Sequence, residues 1–222
     1  MTEINMSEKE AILARHSVRS YTDRKIEEDK ISLIENKIAE INKAGNLHLQ
    51  FKKDAGNTYN RLLNRAMGLG SAPSVIACVG EDRADLEERI GYYGEQLVLY
   101  LQQLGLNTCW AGTFNKKNIG AEVSGGERIV ISIAVGYGKD QGRTRKSKKP
   151  EQIMEAKKDA PEWFKNGVEM ALLAPTAINQ QKFLIRLNED DTVSLIDNGG
   201  PFSKVDIGIV KYHFEVGAGR KI

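Results

Sequence analysis

Two short segments near opposite ends of the chain carry side chains suited to holding a small polar molecule. Arg15-His16-Ser17-Val18-Arg19 sets two guanidinium groups four positions apart around a hydroxyl. With the backbone N–H groups between them they can surround a phosphate through bidentate, charge-assisted hydrogen bonds, and His16 can add a donor. Ala174-Pro175-Thr176-Ala177-Ile178-Asn179-Gln180-Gln181 offers a hydroxyl at Thr176 and amides at Asn179 and Gln181 that both donate and accept, which suits the polar edge of a flat ring. Pro175 fixes the chain where the preceding helix ends. A third segment, Gly105-Leu106-Asn107-Thr108-Cys109-Trp110-Ala111-Gly112-Thr113, brings small-residue backbone after a long helix. Its N–H groups at Ala111, Gly112 and Thr113 can meet a ligand, and Gly112 lets a ring come close. Taken singly, the first two segments also read as an exposed basic turn and a polar loop that ends a helix.

The elements around these segments follow from periodicity. Ile31, Ile34, Ile38 and Ile41 recur at helical spacing after Glu27-Glu28-Asp29, an acidic opening that suits a helix N-terminus, so a helix is predicted over about 27–43. Leu47, Leu49 and Phe51 alternate with polar residues and predict a strand, as does the short apolar run 74–80. Between 85 and 104, Leu86, Ile90, Tyr93, Leu97, Leu101 and Leu104 mark a long amphipathic helix. Gly91 and Gly94 interrupt its propensity and admit either a close backbone or a neighbouring helix. The run 129–136 predicts a buried central strand. Residues 138–150 read as an exposed connection and the main internal boundary of one domain spanning 1–222. Helix 161–174, strands 183–187 and 192–196, and a last helix over 206–218 complete an α+β fold with a mostly antiparallel sheet flanked by helices. The helix, turn and strand at 27–53 echo those at 162–187, and 85–105 echoes 206–219. Duplication and shared secondary structure both account for the echo, so the fold is expected to be rearranged or partly duplicated.

Composition narrows the class. With 222 residues, 41% hydrophobic and 28% charged, the chain has the makeup of a soluble globular protein. No apolar run approaches the roughly 20 residues of a membrane helix, and the start at Met1-Thr2-Glu3-Ile4-Asn5 shows no basic region followed by an apolar stretch. A cytoplasmic, membrane-free protein is expected. Two cysteines and three scattered histidines give neither a disulfide framework nor metal-ligand spacing, so both thiols are expected to be reduced packing residues and no metal is expected. The net charge of +2 does not call for nucleic acid. The six basic residues within 139–149 lack the interleaved aromatics of a base-stacking surface. No Gly-x-Gly-x-x-Gly follows a strand: Gly68-Leu69-Gly70 has no third glycine, which leaves a separate dinucleotide site unsupported.

The order of Arg15-x-Ser17-x-Arg19, Ala72-Pro73-Ser74-Val75-Ile76, a long helix running into Gly105-Leu106-Asn107-Thr108-Cys109-Trp110, a Gly136-Tyr137 strand end and a basic stretch resembles the nitroreductase family of FMN-dependent oxidoreductases over about 8–150. The resemblance implies that Arg15, Ser17 and Arg19, with Lys146 and Lys148, hold the FMN phosphate, and that His16 stands where arginine is frequent. It further implies that backbone at Ala111, Gly112 and Thr113 meets flavin N5. The family's Ala-Pro-Ser-x-x-Asn-x-Gln-Pro-Trp segment normally follows the first long helix, where Ala44-Gly45-Asn46-Leu47-His48 does not match. The matching segment is 174–181, with Thr176 for serine and Lys182-Phe183 for Pro-Trp, an arrangement similar to a divergent branch with this segment near the C-terminus. Pro175, Thr176, Asn179 and Gln181 would then reach the flavin of their own chain or of a partner in a homodimer. The implied activity is hydride transfer from NADH or NADPH through FMN to a nitroaromatic, quinone or similar small acceptor, with no side chain acting as a proton-transfer catalyst. A flavin-binding module without turnover and a nucleic-acid-binding protein using 139–149 are the alternatives.

Overall fold

In a computed structural model of the protein, residues 4–54, 58–59, 69, 72–144, 146–156 and 159–222 are described. Gly68, Gly70, Arg145 and the first three residues, which entered the sequence reading, lie outside them.

Ser7 opens helix α1 (Glu8–Ala14) with a capping box, its hydroxyl accepting from Glu10 N while the Glu10 carboxylate accepts from Ser7 N. Helix α2 (Glu28–Gly45) buries the four spaced isoleucines and ends at Asn46 in the left-handed region. Strand β1 (Gln50–Lys52) is shorter than the alternation at 47–51 predicts. The Asn42 side chain, rather than a ladder, holds Leu49: its Oδ1 accepts from Leu49 N at 2.7 Å and its Nδ2 donates to Leu49 O at 2.9 Å. Strand β2 (Ser74–Glu81), helix α3 (Leu86–Gln103) and strand β4 (Glu127–Gly136) follow close to the predicted spans, and the segment read only as small-residue backbone forms strand β3 (Asn107–Ala111). The four strands form an antiparallel sheet ordered β1-β2-β4-β3, with a register shift at Cys78/Val79 opposite β4.

Strand β2 is apolar without alternation because both its faces are covered. Ile76 and Cys78 join α2 and α3 in one core, while Val75, Ala77 and Val79 join Val18 and Tyr21 in another. Both cysteines are free and buried.

After residues 138–149 the chain forms a second sheet. Strand β5 (Met154–Ala156) was not signalled by the sequence; it lies parallel to β6 (Phe183–Leu187), which pairs antiparallel with β7 (Val193–Asp197). Helix α4 (Glu162–Leu172) connects β5 to β6 and ends before Pro175. Helix α5 (Ser203–Ala218) begins three residues earlier than its hydropathy suggests. The fold is thus of the expected α+β class, but among the described residues it has two sheets, carried by different halves of the sequence, in place of one. Among the described residues no helix is long and apolar enough to cross a membrane.

Helices α3 and α5 cross at two glycines. A Cβ on Gly91 would land on the Val205 carbonyl oxygen, and one on Gly208 would land on the Glu88 carbonyl oxygen. The helix neighbour anticipated for Gly91 is therefore α5, whereas Gly94 accommodates the Trp110 ring, 2.6 Å from a notional Cβ. One turn on, Glu95 and His213 are fully buried and face each other across the same helix pair, His213 Nε2 lying 2.9 Å from Glu95 Oε1. His213 Nδ1 donates to the Met170 carbonyl at 3.1 Å, so this contact fixes its proton and ties α4 to the pair.

Alanine ordinarily stabilises a helix interior by about 1 kcal/mol over glycine. At Gly91 or Gly208 it is expected to destabilise by about 2–3 kcal/mol, because backbone cannot yield as a side chain can. Glu95→Ala, which strands His213 and Trp110, is expected to cost roughly 3–5 kcal/mol. Urea denaturation measures all three, and glycine variants as stable as wild type would refute the crossing.

Candidate functional site

The segment after α1 runs beside the first sheet. Ser17 bridges to Thr108 in parallel, Val18 N donates to Thr108 O at 3.0 Å, and Thr22 N donates to Tyr137 O at 2.8 Å. This docking fixes Arg15, Ser17 and Arg19 against the start of β3. Arg15 is 2% exposed, and its Nη2 donates to Ser17 Oγ at 3.3 Å while Nε and Nη1 have no hydrogen-bond partner. A guanidinium this deep with two of its three nitrogens unpaired marks a place where an anion would be held. Both arginines and Ser17 also act on Cys109: burial pushes its thiol up, and Arg19, Arg15 and the Ser17 hydrogen bond pull the other way.

From that corner a cavity of about 400 Å³ opens between β3, the 174–178 loop and the start of α5. Of the residues anticipated from sequence, Ser17, Arg19, Ala111, Gly112, Thr113, Pro175 and Thr176 line it. Its walls come from both halves of a single chain. Trp110, named in the third segment without a role of its own, also lines it, as do Phe202 and Asp206, for which no site role was anticipated. The Gly199-Gly200-Pro201 run before Phe202 was the available signal, since such a run marks a turn that can present its next side chain.

Trp110 packs against both the core of α2 and α3 and a further core formed by α4, α5 and β6. Its indole Nε1 donates to Glu95 Oε2 at 2.8 Å, so the buried Glu95–His213 pair orients a cavity wall.

The other anticipated residues do different work. Asn179 Nδ2 donates to Lys146 O at 2.7 Å, and the Gln181 amide is used up by Lys148 N, Ser147 Oγ and Leu172 O at 2.8, 2.9 and 3.0 Å. Lys148 Nζ donates to Gln181 O at 2.6 Å. Asn179, Gln181, Lys146 and Lys148 therefore fasten the basic stretch to the loop and stand outside the lining of this cavity. The reason is local: Asn179 and Gln181 adopt positive φ, 55° and 44°, which turns them toward the neighbouring strand of chain. His16 likewise lies outside the lining, its Nδ1 3.2 Å from Ala14 O, and Arg15 stands behind it, hydrogen-bonded to the lining residue Ser17.

Asp206 holds the loop from below. Its carboxylate accepts from Ala177 N at 3.0 and 3.1 Å and from Gln180 Nε2 at 2.7 Å. Burial pushes this carboxyl up to about 6 from an ordinary 3.8, against the pull of those hydrogen bonds. The folded form binds the proton more tightly, so stability from this group is full below pH 3.8 and falls as pH rises to about 6. The loss is on the order of 3 kcal/mol. Asp206→Asn is therefore expected to gain stability relative to wild type as pH is raised from about 4 to about 7, read from urea midpoints. A difference that does not vary with pH would rule this out.

Residues 8–218 match the family described as "Putative TM nitroreductase". A solved Thermotoga maritima structure described as a "putative nitroreductase" is 26% identical with a TM-score of 0.69, and covers 100% of this chain and 89% of its own. An "FMN-dependent Nitroreductase" from Clostridium difficile shares the fold at 18% identity and TM-score 0.50, over 61% of this chain and 90% of its own. A Bacteroides thetaiotaomicron structure named "Putative NADH dehydrogenase/NAD(P)H nitroreductase" does so at 16% identity and 0.50, over 66% and 95%. No curated protein matches the sequence. With the match running from α1 to the end of α5, the chain belongs to this nitroreductase family.

Proposed function

We propose that the protein is an FMN-dependent oxidoreductase that takes hydride from NADH or NADPH and reduces a nitroaromatic, quinone or similar small acceptor. The observation that carries this reading is the pairing of Arg15, a buried guanidinium with two unpaired nitrogens hydrogen-bonded to Ser17 through its third, with Ser17 and Arg19, which line one end of a largely apolar cavity. The donor set fits a phosphate monoester, which supplies the acceptors those nitrogens lack. It fits FMN, whose ring system would occupy the apolar part of the cavity; names of fold neighbours that include FMN and NAD(P)H point the same way.

When bound, FMN supplies the hydride-accepting and hydride-donating chemistry. The chain's own residues bind and orient. Arg15 and Arg19 neutralise the phosphate, and Ser17, held in place by the β3 bridge, adds a hydroxyl. Ala111, Gly112 and Thr113 line one wall, and Thr176, whose Oγ1 accepts from Gln181 N at 3.1 Å, bounds another. Trp110 adds an apolar surface to the lining, kept in place by Glu95. Asp206 holds the loop rather than serving as a proton donor, since both carboxylate oxygens already accept hydrogen bonds.

Purified protein incubated with FMN and desalted should retain a flavin absorption band that anaerobic NADH or NADPH bleaches. A band that neither donor bleaches would favour storage without turnover, and the absence of any band would sink the reading. Arg15→Ala with Arg19→Ala is expected to weaken FMN binding roughly 10- to 100-fold, from the usual worth of hydrogen bonds to charged groups. Fluorescence titration measures it, and unchanged affinity would remove the phosphate role.

A further inference from the structure

The mouth of the cavity is built from side chains that folding alone would not place there. Among the described residues five large hydrophobic side chains are exposed, and two of them, Ile178 at 89% and Phe202 at 37%, border this cavity. Both stand on left-handed backbone, with φ of 49° and 56°. For a β-branched residue such as Ile178 this is a genuine outlier, and strain of this kind costs on the order of 1–3 kcal/mol.

The surrounding structure holds both residues in these positions and couples them. Gln180 Nε2 donates to Pro201 O at 2.9 Å and to Asp206 Oδ2 at 2.7 Å, joining the turn before Phe202 to the loop that carries Ile178. Gly200, at φ 117°, has no side chain because the Gln180 amide fills that space. The Phe202 ring tip rests on Gly112, so close that a Cβ there would collide with it. The ring anticipated to approach Gly112 is thus, in this structure, a protein side chain. Phe202 and Ile178 form one bridged pair of apolar jaws beside the wall where hydride would be exchanged.

We propose that Phe202 and Ile178 select the acceptor, gripping an uncharged planar aromatic ring by stacking on Phe202 and by contact with Ile178. The inference rests on the flavin reading above. It assigns acceptor specificity to two residues outside both the phosphate cradle and the β3 backbone. An aromatic contact of this kind adds to apolar burial, and each factor of ten in kcat/KM corresponds to about 1.4 kcal/mol. Small hydrophilic anions gain nothing from such a grip.

The test compares menadione, a planar quinone, with ferricyanide, a small charged one-electron acceptor, in the FMN-loaded protein with whichever nicotinamide donor bleaches it. Phe202→Ala is expected to lower kcat/KM for menadione roughly 10-fold while ferricyanide stays within about 2-fold, and Phe202→Trp should restore menadione turnover. Ile178→Ala, at a site too exposed to unfold the chain, should lower the menadione value by a smaller factor. Equal changes with both acceptors, or no change with menadione, would overturn the proposal. Loss of FMN from Phe202→Ala alone would also overturn it, by assigning Phe202 to cofactor retention. Absence of FMN binding in the wild type would instead defeat the functional reading itself.

Discussion

The crossing of α3 and α5 is the constraint on which the other parts depend. Gly91 and Gly208 bring two helix backbones into direct contact, and no side chain can be inserted there without moving a carbonyl. That approach carries Phe202, Val205, Asp206 and Ile209, at and just before the crossing, to the end of β3, where Trp110, Ala111 and Gly112 form the opposite wall. A wider crossing would separate the walls contributed by the two halves of the chain. The anion cradle, set by the first sheet, would then face a cavity with one side missing.

A buried polar pair sits beside this contact. Glu95 and His213 carry a desolvation cost that well-packed apolar residues would avoid. In return Glu95 accepts from the Trp110 indole and His213 donates to Met170 O, so that three helices and one strand share one register. Hydrophobic contact is non-directional and would let Trp110 adopt several orientations, whereas a hydrogen bond from its Nε1 selects one. The pair thus connects global packing to the shape of the cavity.

Backbone strain is distributed in the same sense. Of the seven non-glycine residues with left-handed φ among those described, Ile178, Asn179, Gln181 and Phe202 lie in the loop and turn beside the cavity, while Asn46, Asp54 and Asp191 lie elsewhere. Asn179 and Gln181 hold the basic stretch, Gln180 and Asp206 hold the loop to α5, and between these fixed points Ile178 stands exposed while Phe202 lays its ring tip on Gly112. An apolar surface held open at such a cost is what a site for apolar ligands requires.

The sequence by itself determined the local periods and the chemistry of single segments. The isoleucines of α2, the repeat of α3, the double-faced run of β2 and the Arg15-Ser17-Arg19 group were legible because each is encoded within one element, where spacing alone sets which residues share a face. Short β1 and β5 escaped, since three-residue strands exist only through their partners. Tertiary structure decided what the polar side chains of 174–181 do: Asn179 and Gln181 have the amides a ring edge would need, but a strand of chain about thirty residues earlier lies nearer and takes their hydrogen bonds. It also decided that Phe202, Asp206 and Trp110 meet. Those residues lie in separate elements, and only the close approach of α3 and α5, which no spacing pattern records, brings them to one cavity.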